Sequence, residues 1–438
     1  MEERILQFGT GNFLRGFAEE MIGRMNRLGL FDGGVVAVSP TGSGAAKRLN
    51  DRGCRYHLAL RGARNGLPVE RIEEITCISR AVDPYADFDA FLALAQIPTL
   101  RFVISNTTEA GIVFDENCRF TDRPAESFPA KLTQLLYRRF QAGLPGFVFL
   151  PCELIDDNAA ALKRAVLSYA ALWGLGEAFI RYIETENEFC PTLVDRIVSG
   201  FPSDPAERDS LFARIGEKDP LLVTAEPYAL WAIGGDHEKE LPLAAAGCPA
   251  VWSADVEALK KRKVRLLNGA HTSAVFLSLL LNIETVAESM RDSHMNAFID
   301  HMIFQVALPV LGDTPENRAF ANAVPERFAN PFIRHRWADI ALHSVSKFRV
   351  RVLPTVFEYR ERFGEYPKAA ALALAALIRC YQTNACAEPE AAFIREHSAQ
   401  ETLSNGALWG RELGGFADVV RRALEFTDIR EGIAWSLS

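Results

Sequence analysis

Ile5-Leu-Gln-Phe8-Gly9-Thr-Gly11-Asn12-Phe13-Leu-Arg15-Gly16 is the stretch on which the fold turns. Residues 5–8 read as a short apolar strand. The glycines that follow make a tight turn. Phe17, Met21, Ile22 and Met25 then recur at helical spacing. Strand, glycine turn and helix form the layout that binds a dinucleotide. The glycines let the backbone approach a pyrophosphate, and the free N–H groups at the helix start face it. Leu14 stands where the third glycine of GxGxxG belongs, and Gly16 follows two places later. A purely structural turn has the same look, so the stretches further along must weigh in.

Working outward, residues 34–38 form a second strand that ends at Ser39. Many NAD sites carry an acid there for the ribose hydroxyls. This chain has none, and Lys47 and Arg48 follow, so NAD and NADP stay open on the residues alone. Residues 100–105 read as a strand running into Asn106-Thr107-Thr108-Glu109-Ala-Gly111, a polar turn of the kind found at the carboxyl edge of an open sheet. Residues 147–150 repeat the pattern and lead into Pro151-Cys-Glu153-Leu-Ile-Asp-Asp-Asn158. Val194-Asp195-Arg196-Ile197 places adjacent charges inside an apolar, strand-like run. Beyond about residue 255 helical periodicity takes over, over 264–281, 296–308, 338–345 and 368–381. The reading is α/β followed by a mostly helical half, with the boundary near 250: domains 1–252 and 253–438.

Composition narrows the function. The 438 residues are 49% hydrophobic and 24% charged, an ordinary globular balance. A net charge of −8 disfavours a nucleic-acid partner. No run approaches the ~20 apolar residues a membrane span needs, and the alanine-rich run 369–378 reads as a core helix. No export signal is visible at the start, so a cytoplasmic protein is expected. Eight cysteines without a CxxC pair indicate thiols in a reducing compartment rather than a zinc site or disulfide framework. His294 and His301 lack a third ligand, so no metal is expected.

Lys263-Val-Arg-Leu-Leu-Asn268-Gly-Ala-His271 carries the chemistry. At about 100° per residue Asn268 lies roughly 140° round a helix from Lys263, and His271 roughly 80°. All three share one broad arc. A lysine with a lowered pKa exchanges a proton near neutrality, an asparagine amide donates to an oxygen gaining charge, and a histidine orients either. These are parts for interconverting a carbonyl and an alcohol. A solvated face built on Lys260-Lys-Arg-Lys263 is the plainer alternative. Two basic clusters, Asn330-Pro-Phe-Ile-Arg-His-Arg336 and Ser344-Val-Ser-Lys347-Phe-Arg-Val-Arg351, are solvated faces or the holders of an anionic substrate.

Together Gly9-x-Gly11-Asn-Phe-x-Arg15, Val194-Asp-Arg-Ile197, Lys263-x4-Asn268-x2-His271, Arg327-Phe-x-Asn330-Pro331 and the Ser346-Lys347 region resemble the mannitol dehydrogenase family of polyol-specific long-chain dehydrogenases. The closer likeness is to members acting on sugar acids. The resemblance spans most of the chain. It implies an N-terminal Rossmann-type NAD-binding domain, a helical C-terminal domain, and metal-independent hydride transfer at a secondary alcohol between them. Lys263 carries over as general acid/base, Asn268 as oxyanion donor and His271 as the positioner of the substrate oxygen. Phe8, Gly9, Gly11, Asn12, Phe13, Ser39, Asn106, Thr107, Thr108 and Glu109 would hold NAD. Asp195, Lys347 and Arg351 would bind a keto-hexuronate or its aldonate, with a neutral polyol as the alternative. The mannitol and fructuronate members of the family tend to carry an asparagine where Leu154 stands, and Asn158 is the expected replacement donor. The resemblance also favours a monomer or weak oligomer. A non-catalytic dinucleotide sensor is the rival outside enzymes, and the Lys263/Asn268/His271 set argues against it.

Overall fold

A computed structural model describes residues 1–64, 67–107, 111–383 and 388–438, the side chain of Arg64 excepted. Its first sheet has six strands: β1 (Glu2–Phe8), β2 (Gly33–Val38), β3 (Ile78–Val82), β4 (Phe102–Ser105), β5 (Val148–Pro151) and β6 (Glu188–Phe189). All neighbours are parallel, in the order β3-β2-β1-β4-β5-β6. Strand order reverses between β1 and β4. In an open α/β sheet that switch point is where a crevice opens at the carboxyl ends.

Burial on both faces explains the unbroken apolar runs, since a parallel sheet is covered on each side. Alternation sorts their side chains into two cores. Ile5, Val35, Ala37, Phe102, Ile104, Val148 and Leu150 pack on one side. Leu6, Phe8, Val36, Val38, Val103 and Phe149 pack on the other. The register sets Phe8 level with Val38 and Ser105, and Ser105 level with Pro151. The residues that follow these four therefore emerge side by side at one edge.

Two smaller sheets complete this half. One joins Val198–Gly200, Val223–Ala225, Tyr56–Arg64 and Leu67–Ile75, and the other Ala250–Ser253, Leu230–Gly234 and Thr192–Asp195. The chain divides into two compact units, Met1–Arg61 with Val69–Val256, and Gly62–Pro68 with Glu257–Ser438. The separation falls just past the expected 252/253, after the last strand and at the start of a helix. Assignment of residues 62–68 to the second unit has no counterpart in the periodicity.

The second unit is helical. Its buried axis is Lys368–Thr383, with residues 369–378 all buried and packed on Gly269–Leu280 and Gly415–Leu424. The alanine-rich run is thus a core helix, and among the described residues no helix is long and apolar enough to cross a membrane. The expected helix over 338–345 is two, Trp337–Ile340 and Ser344–Arg351. They are broken at His343, which has a φ of 56°. Seven described cysteines are buried and unpaired, and Cys386 lies outside the described residues.

Candidate active site

At the sheet edge, Gly9 has a φ of 119°, and a Cβ on it would lie 2.6 Å from the carbonyl oxygen of Asn106. Only glycine fits there. A short helix, α1 (Asn12–Arg15), ends at Gly16, and α2 (Ala18–Arg27) begins two residues later. A Cβ on Gly16 would lie 2.9 Å from the Val198 side chain. Gly16 thus supplies the close packing that the motif's third glycine normally allows, and buried Leu14 needs none. A Cβ on Gly11 would meet nothing within 4 Å, which leaves the turn open on its outer side. We expect Gly9→Ala to weaken NADH binding at least tenfold and to lower the unfolding midpoint; unchanged binding would show that this turn is not the cofactor loop.

Asn106 and Thr107 are held from below. The buried Glu153 carboxyl accepts hydrogen bonds from Ser105 Oγ, Thr107 N and Thr107 Oγ1, each at 3.0 Å. Burial pushes its pKa up. The Asn106 amide donates to the Cys152 carbonyl at 2.7 Å. Glu153 is therefore a positioning residue, recognisable in the sequence only as a polar group after a strand. A second buried carboxyl, Glu19, accepts from Gln7 Nε2 at 2.8 Å, and that same amide donates to the Gly9 carbonyl at 2.8 Å.

Some expected cofactor residues do something else. Phe8 is fully buried against Phe91 and Phe128, so its ring is core and only its backbone reaches the edge. Ser39 stands at the end of β2 as expected, but it is fully buried and its hydroxyl donates to the Thr41 carbonyl at 2.7 Å. It shapes its own loop. Asn12 is exposed and accepts from Arg15 at 2.7 Å, while Phe13 stacks on Phe17 at 4.9 Å. Thr108 and Glu109 lie outside the described residues.

Asn158 is a correction. Its amide donates to the carbonyls of Pro151, Glu153 and Thr192 at 2.9, 3.2 and 3.1 Å, and its oxygen accepts from Ala159 N and Thr192 N. Both hydrogens are engaged within the protein, so it has no donor for an oxyanion. It braces the turn after β5 instead. We expect Asn158→Ala to cost about 2–4 kcal/mol of stability, because several buried backbone groups lose their partners; an unchanged urea midpoint would contradict the bracing role. Arg196 is likewise structural, donating to the carbonyls of Gly16 and Tyr228 at 2.8 and 3.1 Å. Asp195 is buried at the end of its strand, opposite Leu230.

In the second unit, helix α3 (Val256–Lys263) runs through a π-turn, Val264–Asn268, into α4 (Gly269–Leu280). The Gly269 N–H bonds the Val264 carbonyl, five residues back. A π-turn advances only about 82° per residue. Asn268 therefore comes to roughly 50° from Lys263, and His271 to roughly 10°, a narrow stripe in place of the broad arc of a regular helix. Arg265 anchors the turn by donating to Thr355 Oγ1 at 2.5 Å and Glu358 at 2.7 Å. Arg262 lies over the Phe320 ring. Lys263 and Asn268 are both half-buried.

Three further helices complete the surroundings: α5 (Pro315–Phe328), α6 (Ser344–Arg351) and α7 (Leu353–Phe363). A Cβ on Gly269 would lie 3.3 Å from the Arg351 carbonyl, so glycine lets the end of α6 press against the stripe. His271 is 7% exposed and stacks on Phe328, with centroids 4.0 Å apart and planes at 6°. Its Nε2 is buried and has no hydrogen-bond partner among the described residues. Burial, then the charges of His335, Arg327, Arg351 and Lys347, hold its pKa well below the ordinary value, so the ring is neutral. Lys347 and Arg351 sit one turn apart on α6, and burial lowers both pKa values. Lys347 Nζ donates to the Ile340 carbonyl at 3.0 Å. Arg351 has no carboxylate partner among the described residues. Like charges at this spacing repel by a few tenths of a kcal/mol, so the arrangement favours an anion.

His294 and His301 share one helix, Ser293–His301, and gather no third ligand among the described residues. Glu188, Cys190 and His237 do cluster, but both His237 ring nitrogens lie 2.9 Å from a carboxylate oxygen, of Glu188 and of Glu240.

Comparison with known proteins fits this layout. Residues 3–244 match the family model of the mannitol dehydrogenase Rossmann domain, and residues 255–424 that of the mannitol dehydrogenase C-terminal domain. The altronate oxidoreductase of Bacillus subtilis (strain 168) is 42% identical over 430 residues, which cover 94% of this chain and 89% of that protein. D-sorbitol dehydrogenase in substrate-free form superposes with a TM-score of 0.87 at 21% identity, covering 99% of this chain and 95% of that one. The Pseudomonas fluorescens mannitol 2-dehydrogenase ternary complex with NAD and D-mannitol gives 0.73 at 21% identity, covering 100% and 94%. At that identity the two structures speak to the fold.

Proposed function

Because the chain belongs to the mannitol dehydrogenase family, whose members include dehydrogenases of secondary alcohols, we propose that it interconverts tagaturonate and altronate with NAD(H). The cationic surroundings of neutral His271 carry this reading. Lys347 and Arg351 suit a substrate carboxylate, and a neutral polyol has no use for them. The name and extent of the Bacillus subtilis relative support the same substrate pair.

The first unit would hold the dinucleotide at the turn Gly9–Asn12 and at Asn106 and Thr107. The glycine cradle and the switch point of the sheet fit a pyrophosphate there. Once bound, the reduced nicotinamide supplies the hydride. Lys263 donates a proton to the carbonyl oxygen as its negative charge develops. The Asn268 amide donates a hydrogen bond to the same oxygen, which is typically worth roughly 3–4 kcal/mol in the transition state. Neutral His271 orients a substrate oxygen through its unpartnered Nε2. In the oxidative direction neutral Lys263 takes the hydroxyl proton back. The substrate-binding role expected of Asp195 is part of the same proposal.

The test is NADH oxidation by the purified protein against tagaturonate, fructuronate and fructose, repeated with NADPH. Turnover on tagaturonate with NADH is expected. Preference for fructuronate would move the protein to the sister activity, a fructuronate reductase. Preference for fructose, as in a mannitol-type 2-dehydrogenase, would overturn the carboxylate reading.

A further inference from the structure

The segment Ile333-Arg-His-Arg-Trp337 reads in sequence as a basic cluster, and the structure divides it. Thr285 and Arg336 form an isolated antiparallel bridge. Val286 N donates to the His335 carbonyl and Trp337 N to the Glu284 carbonyl, both at 3.0 Å. The chain is therefore pinned on both sides of Arg336, where it is extended with a φ of −82° and a ψ of 135°, and the side chains before and after an extended residue point away from its own. Arg334 and Arg336 are exposed and lie 2.9 and 3.6 Å from Glu284. His335 and Trp337 face the other way. The Trp337 indole is fully buried and donates to Ser289 Oγ at 2.9 Å. The His335 ring stands edge-on to His271, with centroids 5.2 Å apart and planes at 83°. Trp337 stands edge-on to the same ring at 6.0 Å.

We infer that His335 is a specificity-determining residue, which contacts the substrate carboxylate together with Lys347 and Arg351 and tells a sugar acid from the corresponding polyol. The inference rests on the proposed carboxylate-bearing substrate. Its physical content is a coupling. Burial and Lys347 hold the free ring below its ordinary pKa, against the pull of Asp339, so it is neutral near pH 7. A carboxylate entering beside it favours the protonated ring. His271, the other histidine in contact, is enclosed by the same cations and stays neutral. Arg327 adds positive charge from the end of α5. Binding of a sugar acid then takes up a proton and weakens as pH rises, and binding of a polyol does neither.

The experiment is calorimetric titration of the NADH-loaded protein with altronate and with altritol. The two ligands differ in a carboxylate against a hydroxymethyl group, and neither turns over with NADH. The unmutated protein should bind altronate at least tenfold more tightly, by a margin that shrinks from pH 5.5 to 8. His335→Gln should lose most of that margin and its pH dependence, with altritol binding unchanged. His335→Arg should keep the margin without the pH dependence. If His335→Gln keeps both margin and slope, the role of His335 is overturned while the carboxylate reading stands. If the unmutated protein shows no preference for altronate, both fall. Should the variants not fold, proton uptake by the unmutated protein decides, read in buffers of different ionisation enthalpy; none on altronate binding would overturn the inference.

Discussion

Lys263→Ala should lower kcat for tagaturonate reduction by about 10³–10⁴-fold, while the dissociation constant for NADH changes less than twofold. General acid catalysis of this kind is worth roughly 10²–10⁴-fold, and loss of the cation beside the developing oxyanion adds to it. The proposed cofactor loop belongs to the other compact unit, so its affinity has no reason to follow. Lys263→Arg separates charge from proton transfer. Arginine stays protonated at any working pH and should be nearly as inactive as alanine. NADH fluorescence reports binding, and single-turnover absorbance reports the chemical step. Turnover within tenfold of the unmutated protein would remove Lys263 from the mechanism.

Arg351→Ala should raise KM for tagaturonate about 10²-fold and leave KM for a neutral ketose such as fructose unchanged. Truncating one member of a desolvated, charge-assisted contact typically costs roughly 2–5 kcal/mol. Stability should move the opposite way. Arg351 is half-buried, and burial lowers its pKa with no compensating carboxylate among the described residues, so removing the charge should leave the melting temperature unchanged or raise it. The contact with Gly269 runs through the Arg351 backbone and survives the substitution. A melting temperature that falls by several degrees with KM for the acid unmoved would make Arg351 a structural residue.

Much of the first unit was legible because its signals are local. An apolar run, a glycine turn and a helical repeat each report on a few consecutive residues, and four such runs gave β1, β2, β4 and β5. The strands Tyr56–Arg64 and Leu67–Ile75 were missed because charges interrupt them, Arg61, Glu70, Arg71, Glu73 and Glu74 among them, and so they lack clean alternation. Asn158 was misjudged because an amide at a strand end looks the same whether it serves a ligand or the backbone. Only the positions of Pro151, Glu153 and Thr192 decide between the two. Glu153 was visible as a residue and not as a clamp for the same reason.

By itself, the sequence determined the dinucleotide layout, the change from α/β to helical near residue 250, and the types of residue available for proton transfer and charge stabilisation. Tertiary structure decided how they converge. No feature of a single sequence announces a π-turn, since the extra residue is set by what packs against the helix: the Arg351 carbonyl at Gly269, and the Thr355 and Glu358 side chains on Arg265. That turn narrows Lys263, Asn268 and His271 to one stripe. Likewise only the bridge to Thr285 turns His335 inward and leaves Arg334 and Arg336 in solvent, because the direction of a side chain on a short extended segment follows from its pairing and not from its own composition.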